Sequence, residues 1–295
     1  MERIRPVKIV VPVDYSDISR TACRYAFKIA TRLKAEIELF HAYYSPAMDL
    51  IEFAGSDYRQ NQLKSEVIPG IEENERVAIE SFKSEILREA KRLGFNVSIK
   101  CIIVQGIPEE EIIDYTREVE PDLVIMGTKN RPDRHRMIFS SITEIVLNKI
   151  RVPLMMIPQN YSFIGLENIQ NMLFVTHFDE SDFQTIDKLM TLISGFELRI
   201  HCVHLENRPQ NTWDNVKLKG LEEHLRVKYN KTNTESTIID SKNLLKNLDE
   251  YIIDKNINVI ALTTRKRSLF QKLFRTGITR KIFYHTNLPL FVFHS

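Results

Sequence analysis

Val10-Val11-Pro12-Val13-Asp14-Tyr15-Ser16-Asp17 returns in altered form as Val175-Thr176-His177-Phe178-Asp179-Glu180-Ser181-Asp182. Further on, Val124-Ile125-Met126-Gly127-Thr128 through Val152-Pro153-Leu154 is echoed by Ile260-Ala261-Leu262-Thr263-Thr264 through Leu288-Pro289-Leu290. Counted this way, the opening phrases lie 165 residues apart and the closing phrases 136, so the second copy is shorter by 29. Such self-similarity predicts a tandem duplication. It divides the 295 residues into 1–160 and 168–295, joined by Asn160–Asn168, and each part is long enough to own a core.

Each copy alternates short apolar runs with amphipathic stretches. Lys8–Val13 is rich in valine and isoleucine and stops at Asp14, as a buried strand would. Ser16 or Asp17 can cap the helix that follows, in which Ile18, Ala22, Tyr25, Ala26, Ile29 and Leu33 share a face. Glu36–Tyr43 is a second strand. Residues 45–70 read as irregular, with Pro46, Gly55, Pro69 and Gly70 as breakers. Then come a long helix over Glu72–Leu93, a strand over Asn96–Val104 and a short helix over Glu109–Glu118. A strand over Leu123–Met126, a helix over Ser141–Asn148 and a strand over Leu154–Ile157 close the copy. The second copy repeats the order with strands at Met172–Thr176, Glu197–Leu205, Ser236–Ile239, Val259–Leu262 and Leu290–Phe293. Its helices carry Phe183, Ile186, Leu189, Met190 and Ile193, then Leu218, Leu221, Leu225 and Tyr229, with Trp213 read as core. The shortfall falls mostly on the irregular loop and long helix. Alternation predicts an α/β fold of two doubly wound domains, each a five-stranded parallel sheet with helices on both faces.

Composition narrows the partners. Lysine and arginine number 41 against 39 aspartates and glutamates, a formal +2, which gives no global pull toward nucleic acid or an anionic membrane. Cys23, Cys101 and Cys202 form an odd set without Cys-x-x-Cys spacing, which argues against a disulfide framework and for a reducing, cytoplasmic home. The charged N-terminus followed by one short apolar run offers neither a signal peptide nor a spanning helix.

The chemistry sits after the fourth strand. Met126-Gly127-Thr128-Lys129-Asn130 is followed, nine residues on, by Ser140-Ser141-Ile142-Thr143-Glu144. A strand feeding a mobile basic loop and then a helix N-terminus is suited to anions, and in open parallel sheets ligands sit beyond the strands' carboxyl ends. Asp14 ends the first strand at that crevice. This arrangement resembles the universal stress protein family, over nearly the whole chain, as two tandem domains. Nucleotide-binding members carry Gly-x2-Gly-x9-Gly-Ser/Thr, which here becomes Gly127-x2-Asn130-x9-Ser140-Ser141. The resemblance implies ATP or AMP, with or without Mg, as ligand. It implies an adenine contact for Asp14, with Pro12, Val13 and Ala42 beside the base. It places Met126, Gly127, Lys129 and Asn130 over ribose and phosphate, and Ser140, Ser141, Ile142 and Thr143 around phosphate. It also implies that Pro153–Ile157 and Pro289–Phe293 pair across the copies as an internal pseudo-dimer, burial within each domain being the alternative. A further homodimer stays open.

The departures are specific. Asn130 is the next most tolerant residue after glycine at positive φ, whereas Ser140 adds a Cβ and a hydroxyl in the tightest place. In the second copy Thr263, Lys266 and Thr276-Gly277 replace the glycine positions, and His177 replaces Pro12 while Asp179 persists, so little nucleotide binding is expected there. Asp14 has a second reading as a helix cap. Lys129, Arg131, Arg134 and Arg136, and Arg265, Lys266, Arg267, Lys272 and Arg275, read equally as phosphate clamps or as solvated loops. His201 and His204 fall on opposite strand faces, and with His41 they read as satisfied strand-end histidines rather than as metal ligands. No P-loop, Gly-x-Ser-x-Gly elbow or His-Glu-x-x-His is present, nor the Ser-Gly-Gly-x-Asp-Ser or His-x-Gly-His of catalytic relatives. The expectation is a nucleotide-regulated stress protein with at most weak ATP hydrolysis, the alternative being a nucleotide-free scaffold.

Overall fold

The computed structural model describes residues 6–44, 58–130, 137–138, 141–159, 161, 170–176, 180–206, 212–230, 233–240, 242–264 and 287–294. Strand β1 (Lys8–Pro12) leads into α1 (Asp17–Leu33), β2 (Glu36–Tyr43), α2 (Tyr58–Arg92), β3 (Ser98–Gln105), α3 (Pro108–Val119) and β4 (Leu123–Asn130). Then follow β5 (Met137–Ile138), α4 (Ser141–Lys149) and β6 (Leu154–Pro158). The second half runs β7 (Asn171–Thr176), α5 (Glu180–Leu192), β8 (Arg199–Glu206), α6 (Thr212–Tyr229), β9 (Thr234–Asp240), α7 (Leu244–Asp254), β10 (Val259–Thr264) and β11 (Leu290–His294).

Ten strands make one sheet in the order β3-β2-β1-β4-β6-β11-β10-β7-β8-β9, with β5 added to the end of β4. All neighbours in the sheet are parallel except β6 and β11, which meet antiparallel at its centre: Leu154 faces Val292, Met155 faces Phe291 and Met156 faces Leu290. The pairing of closing strands across the copies is thus present. Alternation along the strands sends odd and even residues to opposite sheet faces. Ile9, Val11, Ile37 and Leu39 pack with α1, α2, α5 and α6, whereas Val10, Phe40, Val124 and Leu154 pack with α3, α4 and α7. Each of the two apolar layers runs without interruption through both halves.

Helix α1 shows how local sequence builds an element. Ser16 caps it by accepting from Ser19 N, Asp17 sits in the first turn, Arg32 in the last, and Lys34 ends it in the left-handed conformation at φ 52°. Ten of its seventeen residues are buried, more than one amphipathic face supplies. The surplus lies against the second half, where Tyr25 and Ile29 share a small apolar gap of about 30 Å³ with Met172, Leu192 and Phe196.

Strand registers correct the repeat count. Val10 pairs with Val124 and Leu173 with Ile260, so Leu173, not Val175, matches Val10, a spacing of 163. With the closing phrases 136 apart, the second copy is shorter by 27 residues rather than 29. The loss lies between the second and third strands, where α2 spans 35 residues and α6 only 18. Residues 58–70, expected to be irregular, are helical: α2 passes straight through Pro69 and Gly70. One interior proline costs a helix about 3 kcal/mol, an amount the buried stripe Ile79, Phe82, Ile86 and Ala90 farther along can offset. Residues 45–57 lie outside the described residues. Two expected core residues are exposed, Trp213 at 71% and Phe183 at 37%. In α6 the buried stripe Leu218, Leu221 and Leu225 continues backward to Asp214, not Trp213.

Candidate functional site

The sheet order reverses direction between β1 and β4, and the carboxyl ends of these two strands frame a cavity of about 140 Å³. Pro12, Val13, Asp14, Ala42, Met126, Gly127, Ile142 and Thr143 line it, eight of the twelve positions expected from sequence. The sequence reading missed Ile18, Ser19, Phe40, His41, Pro108 and Ile112, which line it too. Two of these were within reach: Phe40 stands two residues before Ala42 on one strand, and Ser19 follows the Ser16 cap by three.

The turn after β1 is held from several sides. Val13 N donates to Phe40 O at 2.9 Å, continuing the pairing with β2. His41 Nδ1 lies 2.7 Å from Val13 O. Asp14 N donates to Ser19 Oγ at 3.0 Å. Asp14 Oδ1 accepts from the Ser16 and Ser19 hydroxyls, each at 2.5 Å, and from Ser16 N at 3.2 Å. Its other oxygen, Oδ2, takes no hydrogen bond among the described residues, and the residue is exposed. Partial burial works against the charged carboxylate, but the donors from Ser16 and Ser19 outweigh it and hold the pKa below its ordinary value. Ser16 therefore caps α1 while Asp14, itself part of the cavity lining, braces the cap.

Tyr15 adopts φ 63°, a left-handed conformation rare for a bulky residue. Its ring packs on His41 at 4.4 Å and Phe82 at 5.5 Å, and its hydroxyl donates to Glu75 Oε2 at 3.4 Å. His41 Nε2 sits 3.2 Å from the same carboxylate oxygen.

Gly127 is required by packing rather than by a turn. It lies within β4, opposite Ile157 of β6, and a Cβ there would stand about 2.5 Å from the Ile18 carbonyl oxygen and closer still to its side chain. Its bare backbone lets α1 descend onto the strand and shape the cavity floor.

The expected phosphate loop is only partly as foreseen. β4 continues to Asn130 and pairs antiparallel with β5, Lys129 opposite Ile138 and Asn130 opposite Met137. Lys129 and Asn130 are thus strand residues rather than loop, and Lys129 is not among the residues that line the cavity. Strand pairing with β5 uses the stretch expected to arch over a phosphate. Ser141 is exposed at the first position of α4, outside the cavity lining, while Ile142 and Thr143 just behind it belong to the wall. Ser140, Arg131, Arg134 and Arg136 lie outside the described residues.

The second half arranges the same groups differently. By the 163-residue spacing Val13 matches Thr176, and His204 Nδ1 lies 3.0 Å from Thr176 O as His41 does from Val13 O. Asp14 then matches His177, and Asp179 matches Ser16, so the persistence of Asp14 as Asp179 is withdrawn on register grounds. Ser19 matches Asp182. Thr176 Oγ1 donates to Asp182 Oδ2 at 2.7 Å, with both residues buried. Thr263, the match of Gly127, is buried, and its hydroxyl has no partner among the described residues. His177, Asp179, Arg265, Lys266, Arg267, Lys272, Arg275, Thr276 and Gly277 lie outside the described residues. His201 is engaged elsewhere, with Nδ1 3.2 Å from Tyr251 Oη and Nε2 3.3 Å from Asn171 Oδ1. Among the described residues no helix is long and apolar enough to cross a membrane.

Known proteins resemble this chain in sequence and in fold. The profile of the universal stress protein family matches residues 7–158. A universal stress protein of Methanocaldococcus jannaschii is 28% identical over 153 residues, covering 51% of this chain and 81% of its own length. A second from the same organism is 26% identical over 162 residues, covering 52% and 96%. The crystal structure of a universal stress protein from Archaeoglobus fulgidus shares the fold across nearly both chains, with a TM-score of 0.71, 15% identity, and 97% and 98% coverage.

Proposed function

Because the chain belongs to the universal stress protein family, we propose that residues 1–160 bind an adenine nucleotide, ATP or AMP with or without Mg, as a reversible regulatory ligand. Residues 168–295 form the second domain and serve as its structural partner. The observation that carries this reading is the cavity at the β1–β4 switch point, where apolar walls from Phe40, Ala42, Ile112 and Met126 meet the one open oxygen of Asp14. Such walls suit a flat purine, and a carboxylate suits its exocyclic amine. Among the described residues, Asp14 and His41 are the ionisable groups that line the cavity, and any ATP hydrolysis is expected to be weak. The antiparallel β6–β11 seam and the shared apolar layers support an internal pseudo-dimer, and light scattering on the purified chain separates that unit from a homodimer. The three free thiols suit a reducing cytoplasm.

The test is direct. Protein purified without added nucleotide is denatured and the supernatant assayed for adenine compounds, in wild type, Asp14→Ala and Ser141→Ala. Retention by wild type and loss in Asp14→Ala supports the site. A nucleotide-free interaction scaffold is the second reading, favoured by the pairing of Lys129 and Asn130 with β5. Absence of released nucleotide together with no thermal shift in millimolar ATP selects it.

A further inference from the structure

His41 faces two acceptors at once. Val13 O can only accept, so the Nδ1 contact at 2.7 Å requires a proton on Nδ1. Glu75 Oε2 lies 3.2 Å from Nε2 and also accepts from the Tyr15 hydroxyl. A neutral imidazole with its proton on Nδ1 would point a lone pair at an ionised carboxylate. The contact is favourable only when both ring nitrogens carry protons. The side chains are mostly shielded, at 11% exposure for His41 and 29% for Glu75, so little water screens the pair.

The pair joins three elements that share no other clamp of this kind among the described residues. His41 stands on β2, Glu75 on α2, and both reach the turn that presents Asp14, His41 through Val13 O and Glu75 through the Tyr15 hydroxyl. Asp14 is therefore bracketed on both sides by residues tied to this one carboxylate–imidazole contact. We propose that His41 and Glu75 are positioning residues for the ligand site, a proton-dependent clamp that fixes the Val13–Tyr15 turn and weakens as pH rises. This deepens the nucleotide reading and rests on it for the ligand.

The neighbouring ionisable groups hold their charge state around neutrality. Tyr15, on the β1–α1 turn, is pushed well above the ordinary tyrosine range by burial and by Glu75. Tyr43, on the same strand as His41, is raised by burial and by Glu72 and Glu75. Cys101, on β3, is pushed up to about 11 by burial and by Glu80. Asp14 is held below its usual range and stays ionised. The tyrosines and the thiol keep their protons through neutrality, whereas a histidine charge changes between roughly pH 5 and 8. With both ring nitrogens protonated the clamp is closed, and loss of the Nε2 proton opens it.

Full-length wild type, Glu75→Gln and Glu75→Ala are compared in two arms between roughly pH 6 and pH 8.5. In the first, ATP affinity is measured by calorimetry. Wild type is expected to lose about three- to five-fold in affinity across the range, the scale of one partly exposed ion pair. Glu75→Gln stays flat, because its amide can accept from charged His41 or donate to the neutral ring. Glu75→Ala stays flat at the weaker level. In the second arm, hydrogen exchange of the Val13–Ser19 segment is followed without nucleotide, each wild-type rate divided by that of Glu75→Gln at the same pH. The ratio should rise with pH. A flat ratio overturns the clamp whatever ATP does. A rising ratio with no ATP binding at any pH keeps the clamp and overturns the nucleotide reading. ATP binding whose pH profile is unchanged in Glu75→Gln overturns the positioning role.

Discussion

The two halves use one hydrogen-bonding motif with its ends exchanged. In the first half the carboxylate stands in the turn, as Asp14, and the hydroxyl on the helix, as Ser19. In the second the hydroxyl stands on the strand, as Thr176, and the carboxylate on the helix, as Asp182. The first arrangement leaves an acidic oxygen exposed beside a cavity. The second buries the acid. Moving one charge a few residues along the chain therefore takes the acid off the rim, while the strand-to-helix connection keeps its hydrogen bond. Gly127 and Thr263 repeat the lesson: the bare position admits α1, and the substituted one carries a buried hydroxyl without a partner among the described residues.

The largest expected effect comes from forcing the first half toward the second. Gly127→Thr drives a side chain into the Ile18 backbone and should destabilise the protein by about 3 kcal/mol, read from the urea midpoint, and abolish adenine nucleotide binding. An unchanged midpoint would mean that α1 is not pinned against β4. Next comes Thr176→Val, which strips a hydroxyl from buried Asp182 and should cost about 1.5 kcal/mol in the same assay without touching nucleotide affinity. A loss of affinity equal to that of Asp14→Ala would break the division of labour between the halves.

A smaller effect concerns acid. The Asp14 pKa is lowered on folding, so its contribution to stability is present above the unfolded carboxylate range near 3.8 and is lost as pH falls through the folded value. The stability gap between wild type and Asp14→Asn should therefore narrow as urea titrations move from neutral pH into that acid window. A gap independent of pH would mean that the serine hydroxyls do not favour the charged form. The smallest effect belongs to Trp213→Ala. The ring is exposed, and its removal should shift stability by no more than about 0.5 kcal/mol.

Fold class was legible because β-branched apolar runs and 3.6-residue stripes alternate without conflict in both copies. The helices and strands named from sequence are present, but residues 58–70 are helical where irregular chain was expected, Lys129 and Asn130 are strand where a loop was expected, and the register between the halves differs. Two similar phrases, one ending in Asp14 and the other in Asp179, invite a match by eye, yet backbone pairing sets them two residues apart. Side-chain similarity in a turn is a weak anchor, since acids are favoured at several neighbouring turn and cap positions. Pro69 misled for a related reason: breaker residues report local preference, and a long packed helix overrides it. The part of the cavity wall at the strand ends was readable from sequence. His41 and Ser19 were not assigned to it, because their roles depend on which carbonyl and carboxylate the fold brings to them.

One consequence follows from the antiparallel seam between β6 and β11. Strands of the first half run one way and those of the second run the other, so the carboxyl rims of the two halves look toward opposite poles of the sheet. A molecule seated at the Asp14 rim and one docked at the rim beyond Thr176 would never collide. The chain is thereby two-ended, its two rims joined by one hydrogen-bonded sheet of ten strands.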